Sequence, residues 1–151
     1  MAKSTALSIA NALIQLSHKK GNPVSNMKLQ KLVYFSYGWF LAIRKERLFE
    51  DEIQAWKYGP VIPELYHSFK LYYSNPIPEA HYLKSDSVEV SGDATALLES
   101  VWQAYGDKTA IELVDMTHKV GTPWEKTFER SVSNSIIKDE LISAYFDGLL
   151  H

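Results

Sequence analysis

A chain of 151 residues with a formal charge of −2 and no cysteine excludes disulfides, thiolate nucleophiles and thiolate metal sites. With 46% hydrophobic and 13% aromatic residues, it carries enough apolar surface to offset the entropy of ordering, which argues against intrinsic disorder and for one compact domain over 1–151. The small net charge conceals two unlike halves: residues 1–70 hold ten Lys/Arg against five Asp/Glu, net +5, and residues 71–151 hold six against thirteen, net −7. Solvated faces of opposite sign are the ordinary explanation, since a domain mixes its halves in space; a polarity that survived folding would steer a charged partner.

The N-terminal stretch MAKSTALSIANALIQL reads as an amphipathic helix rather than a signal peptide, so the cytoplasm is the expected compartment. Ser4 is the expected cap, and Leu7, Ala10, Leu13, Ile14 and Leu16 recur at helical spacing up to Lys19, Lys20 and Gly21. Asn22-Pro23 marks a turn. Ser25 then caps a second helix to about residue 45, whose middle is apolar on every side: Leu32, Val33, Tyr34, Phe35, Tyr37, Trp39, Phe40, Leu41 and Ile43. All-round hydrophobicity predicts a central, buried helix, and Gly38 within it predicts the close approach of another backbone. Residues 32–43 are interrupted by Ser36 and Gly38 and fall short of the roughly 20 apolar residues a bilayer requires, so no membrane span is expected.

Between 48 and 58, Ile53, Ala55 and Tyr58 alternate with charged residues, predicting a short strand or extended arm into Gly59-Pro60. Pro60 and Pro63 suit a helix's first turn, predicting a helix to about residue 72 with Leu65, Tyr66, Phe69 and Tyr73 on its buried face. Asn75-Pro76-Ile77-Pro78 breaks it, and a loop with a short strand at SVEV, residues 87–90, follows. A helix over 94–105 buries Leu97, Leu98, Val101 and Trp102 and stops at Gly106. Thr109 with Glu112, and Thr122 with Glu125, read as capping boxes, the second with Pro123 at the first helical position. Leu141, Ile142, Tyr145, Phe146 and Leu149 give a last helix over 138–150.

Chemistry is sparse. Glu112, Asp115 and His118 recur every three residues, a spacing that can hold a divalent cation, but Glu112 already serves a cap and no HExxH accompanies it. There is no GxSxG elbow, P-loop or GxGxxG, so neither an enzyme nor a cofactor is expected. A pI near 6.2 argues against a dominantly basic nucleic-acid footprint. Candidates for a partner surface are the aromatic turn Trp56, Tyr58, Gly59 and Pro60, and the pair Lys28 and Lys31, three apart on one face of the second helix. A chain-turning role for Gly59-Pro60 and plain solvation of the lysines are the competing readings. On the partner reading, reversing the charge of both lysines should weaken binding with little loss of fold.

The ordered series KLQKLVYFSYGWFLA, Ala55-Trp56, Tyr58-Gly59-Pro60-Val61-Ile62-Pro63 with Tyr66 and Phe69, Leu113, Thr117-His118, Pro123-Trp124, Ile137 and Tyr145-Phe146 resembles the SocA-like antitoxin domain. That domain is also called Panacea, and its family includes GepA-type phage-associated proteins. The resemblance runs from Ile9-Ala10-Asn11 to Phe146. It implies a mainly α, cytoplasmic protein that neutralises a toxin encoded beside it by direct binding and, in some members, presents that toxin to a protease. It implies no catalysis. Members often carry an added DNA-binding segment, and this chain has the length of the bare domain. The resemblance also pairs His118 with the Pro123-Trp124 turn, where the imidazole would bond backbone and stack on the indole, and it adds His118 and Trp124 to the candidates for the partner surface. Lys138 stands where a small capping residue is expected before the last helix.

The expectation is therefore one helical domain around the second helix, with a small extended or two-stranded β element, acting as a prophage or mobile-element antitoxin. The alternative is a phage or plasmid regulator that binds nucleic acid.

Overall fold

The computed structural model describes residues 4–79 and 90–150. Helix α1, Ala6–Lys19, starts one residue later than predicted: Thr5, not Ser4, is its cap, with the Thr5 hydroxyl accepting from Ser8 N and Ser8 Oγ accepting from Thr5 N. Ala10, Leu13, Ile14 and Leu16 turn inward. Helix α2, Asn26–Arg44, is capped by Ser25 as expected, and residues 28–38 are buried without interruption. It packs on α1 and on five later elements: the strand Gly59–Val61 and the helices Pro63–Phe69, Gly92–Tyr105, Ala110–His118 and Asp139–Leu150. Burial is incomplete past Gly38, since Trp39 and Phe40 are half-buried and Ile43 is exposed. What approaches Gly38 is not a backbone but the ring of Phe146, which occupies the space a Cβ would need.

The β element has three strands, β1 Gln54–Trp56, β2 Gly59–Val61 and β3 Ser135–Ile136, in antiparallel order β2-β1-β3. Ala55 faces Pro60 on one side and Ser135 on the other. Pro60 is tolerated because β2 is an edge strand. The third strand is only two residues long, too short to leave an alternation in the sequence. Ile53 and Ala55 are buried as the pattern suggested, while Tyr58 lies in the turn between β1 and β2.

Helix α3, Pro63–Phe69, begins at the second proline and tightens into a 3₁₀ turn, Lys70–Tyr72. Leu65 and Phe69 are buried, but Tyr66 is 37% exposed and Tyr73 81% exposed, against expectation. Past Phe69 the 3₁₀ winding shifts the helical phase, and Tyr73, with φ 55°, turns the chain outward; Tyr66, upstream of that turn, packs its ring on Trp56 at the surface. Ile77 is buried, and its N–H donates to Val24 O at 2.8 Å. Of the strand expected at 87–90, residues 87–89 lie outside the described residues, and Val90 is in no regular element.

Ser91 caps α4, Gly92–Tyr105. Gly106 ends it at an ordinary φ of −61°, so its glycine serves space rather than a left-handed stop: a Cβ would lie 2.7 Å from the Trp102 ring. The Thr109–Glu112 box on α5, Ala110–His118, is complete. The second box is half made, because the Glu125 carboxylate takes Gly121 N at 3.0 Å instead of the N–H of Thr122, the cap of α6, Pro123–Thr127. In α7, Asp139–Leu150, Ile142 and Phe146 are buried, Leu141 and Tyr145 are half-buried and Leu149 is exposed. Lys138 precedes it, and its carbonyl accepts from Leu141 N and Ile142 N.

One hydrophobic cluster runs from Ala6 in α1 to Phe146 in α7. The two unlike halves are stitched together at the surface: Lys20 pairs with Glu99, Arg44 with Asp93, Lys45 with Asp147 and Arg47 with Asp139. Each pair joins a base of the first half to an acid of the second. Such exposed pairs contribute little stability individually, but they show where part of the charge asymmetry goes. Among the described residues, no helix is long and apolar enough to cross a membrane.

Candidate partner-binding surface

The turn between β1 and β2 is held from beneath by side chains of three helices, each bonding a backbone group of the hairpin or of the residue after it. Trp124 Nε1 of α6 donates to Trp56 O at 2.6 Å. His118 Nε2 of α5 lies 3.1 Å from Lys57 O. Lys31 Nζ of α2 donates to Pro60 O at 3.3 Å, and Gln30 Oε1 accepts from Ile62 N at 2.9 Å. A hairpin this short has few backbone partners of its own, so these bonds fix its position.

Gly59 is required twice over. Its φ of +115° belongs to glycine, and an added Cβ would stand 2.7 Å from Lys31 Cε and 2.9 Å from Thr117 Oγ1. The structure thus brings together seven of the eight sequence candidates. Trp56, Tyr58, Gly59 and Pro60 form the hairpin, and Lys31, His118 and Trp124 support it. Tyr58 is 56% exposed, and Trp56 is half-buried with its ring 5.0 Å from that of Tyr66.

Lys28 stands apart, donating to Gly106 O at 2.6 Å with its Nζ 5.6 Å from the Trp102 ring centroid. Neither lysine is solvated: Lys28 is 7% exposed and Lys31 1%. Burial lowers the pKa of Lys28, opposed by Asp107 and Glu112. Burial alone pushes Lys31 down to about 7. The expectation that both could be reversed in charge without harm to the fold is therefore corrected. An acid at either position would aim a buried carboxylate at a carbonyl oxygen. Hydropathy could not find this, because it scores every lysine as surface.

His118 stacks at 3.7 Å on the Trp124 indole, and its Nδ1 lies 2.8 Å from Val114 O. Glu112 spends its carboxylate on Thr109 N at 2.8 Å. Among the described residues, no group of three or more His, Asp or Glu is placed to hold a metal ion.

Beside the hairpin lies a cleft of about 890 Å³, walled by Met27, Lys31, Trp56, Tyr58, Tyr66 and Leu71. Lys57, Lys70 and Tyr73 complete its rim, and neither Asp nor Glu lines it. Met27, Tyr66, Leu71 and Tyr73 were not among the sequence candidates. Helical spacing places both tyrosines in the core; the 3₁₀ turn brings Tyr73 out, while Tyr66, within the regular turns of α3, sets its ring against Trp56 of the hairpin instead.

The Antitoxin SocA-like, Panacea domain family matches residues 29–125, a span that takes in α2 from its second turn, the hairpin, its supports and the cleft walls other than Met27. The chain belongs to that family. Antitoxin SocA of Caulobacter vibrioides (strain NA1000 / CB15N) is 33% identical over 128 residues, 80% of this chain and 68% of that relative. No solved structure matches. Membership of the SocA-like family supports an antitoxin role, regulatory rather than catalytic, and implies a toxin as partner.

Proposed function

We propose that this protein neutralises a toxin encoded by an adjacent gene by binding it directly in the cytoplasm, one molecule masking another, with the β1–β2 hairpin and its cleft as the contact surface. The observation that carries this reading is a hairpin locked from beneath by Lys31, His118 and Trp124 while Tyr58 projects outward. A rigid support with an exposed aromatic at its tip is the arrangement of an interface hot spot. Presentation of the bound toxin to a protease, and carriage on a prophage, extend the same reading. A nucleic-acid role is less well supported, since Lys20, Arg44, Lys45 and Arg47 are engaged with acids of the second half.

The test is co-expression with the product of each adjacent open reading frame, scoring growth rescue and co-purification. A neighbour that is toxic alone, and tolerated and retained in the presence of this protein, is the expected result. If every neighbour is harmless or unbound, the antitoxin reading fails.

A further inference from the structure

Lys31 and Lys28 are one turn apart and similarly buried, yet only one of them is fully accounted for. Lys28 has a short bond to Gly106 O, the Trp102 ring nearby, and Asp107 and Glu112 close enough to favour its charge. Lys31 has a bond of 3.3 Å to Pro60 O, long for a charged donor, where 2.7–2.9 Å is usual. Burial is the one influence on its ionisation, with no acid opposing it. An ammonium has three donors, and a buried one without a counter-charge is costly. Lys31 also lines the cleft. Beyond its bond to Pro60 O, the ammonium has donors to spare, and an acceptor with a counter-charge can come from outside the chain.

We propose that the cleft between α2, the hairpin and the α3–3₁₀ segment docks an extended acidic segment of a partner protein, with an Asp or Glu carboxylate meeting Lys31 Nζ and an apolar neighbour seated against Trp56, Tyr58 and Tyr66. This rests on the antitoxin reading only in naming the toxin as the natural owner of that segment. Charge complementarity selects the occupant, since Lys31, Lys57 and Lys70 line the cleft and Asp and Glu are absent from its lining. The apolar wall supplies the anchor site that a carboxylate alone would lack. Tyr73, on the rim, is held at φ 55° and ψ −122°, a strained conformation of the kind that concentrates at ligand clamps. A peptide is favoured over a single nucleic-acid strand because a strand's successive phosphates need a run of exposed cations, whereas one carboxylate needs only Lys31 at the cleft wall, and Lys57 Nζ is turned to the Tyr58 ring, 5.4 Å from its centroid.

The experiment is to pan the immobilised full chain against a phage library of random peptides, alongside Lys31→Met and Tyr58→Ala, both first checked for wild-type circular dichroism and melting. The expected peptides carry Asp or Glu next to an aromatic or aliphatic residue. The commonest, made synthetically, should lose about tenfold or more in affinity for each variant. Changing its acid to the amide should cost the same on wild type and nothing further on Lys31→Met. The amide comparison uses wild-type protein, so it decides the matter even where a variant folds poorly.

The proposal is overturned by peptides that lack an acid, by no enrichment over the Lys31→Met control, or by an oligothymidylate probe that binds in a Lys31-dependent way and displaces the peptide. Acidic peptides selected without rescue in co-expression would overturn the antitoxin reading and keep the groove. Rescue without such selection would do the reverse.

Discussion

The two halves of α2 both pack into the core and are chemically opposite. Toward its C-terminal end the helix meets α7 through rings, with Phe146 within 6.2 Å, centroid to centroid, of Tyr34, Phe35 and Trp39. Toward its N-terminal end it buries Lys28, Gln30 and Lys31, which spend their polar atoms on the carbonyls of Gly106 and Pro60, the N–H of Ile62 and the side chain of Asn26. One half stabilises by excluding water. The other holds pieces of backbone in place and would be costly if left unsatisfied. The difference separates the part of the helix that makes the fold from the part that positions the hairpin.

The contrast breaks most visibly at Phe146. It is 0% exposed and fills the space above Gly38, so Phe146→Ala should cost about 3–5 kcal/mol in urea unfolding. A loss under about 1 kcal/mol would mean that the ring end of α2 is not the packed centre. The polar end should answer to pH instead. Lys31 has a folded pKa of about 7 against 10.5 when unfolded, so between those values the unfolded chain binds more protons. Stability should then rise as pH rises from about 7 to 10.5, by up to about 1.4 kcal/mol for each unit of the shift. Lys31→Met should remove that slope and leave the fold intact. A slope that persists in the variant belongs to another group.

A smaller effect of opposite sign is expected where α3 meets the loop before β1. Glu64 shares a hydrogen bond with Asp51, which with burial and the nearby acid raises its pKa to about 7 from 4.5. The folded state keeps a proton there that the unfolded chain has already released, so stability should fall as pH rises from about 4.5 to 7. Glu64 is exposed, so solvent screens the pair and the slope is shallow. For these two groups together, stability passes through a minimum near neutrality. Glu64→Gln should flatten the acid side of that minimum and leave the Lys31 side unchanged. A Glu64→Gln curve with the wild-type acid limb would remove the carboxyl pair from the account.

Local chemistry made much of the fold legible in the sequence. Ser25, Thr109 with Glu112, and Pro123 mark the starts of α2, α5 and α6 because caps act within one turn, and Leu13, Ile14, Val101 and Trp102 disclose their faces by spacing. The motif series pointed to the family that the match over residues 29–125 establishes. What stayed hidden depends on distant partners. Nothing near Lys31 in the chain says that Pro60 O will receive it. Ser135 and Ile136 become a strand only because Gln54 and Ala55 lie alongside. Tyr73 leaves the core because the chain tightens at residue 70, three residues before it. The cleft joins α2 to the hairpin and α3, so its lining could be assembled only in three dimensions.

The mildest substitution tests the functional half of the comparison most directly. Tyr58 projects from a turn whose position is set by Lys31, His118 and Trp124 rather than by its own ring. Tyr58→Ala should therefore change unfolding free energy by no more than about 0.5 kcal/mol, as exposed positions do, while reducing toxin retention about tenfold or more if the ring is an anchor. Trp124→Phe makes the complementary change: it keeps an aromatic against His118 but removes the donor to Trp56 O, loosening the hairpin without altering the surface it presents. If Tyr58→Ala retains the toxin as wild type does while Trp124→Phe does not, the backbone conformation of the hairpin, rather than its exposed ring, is what the partner reads.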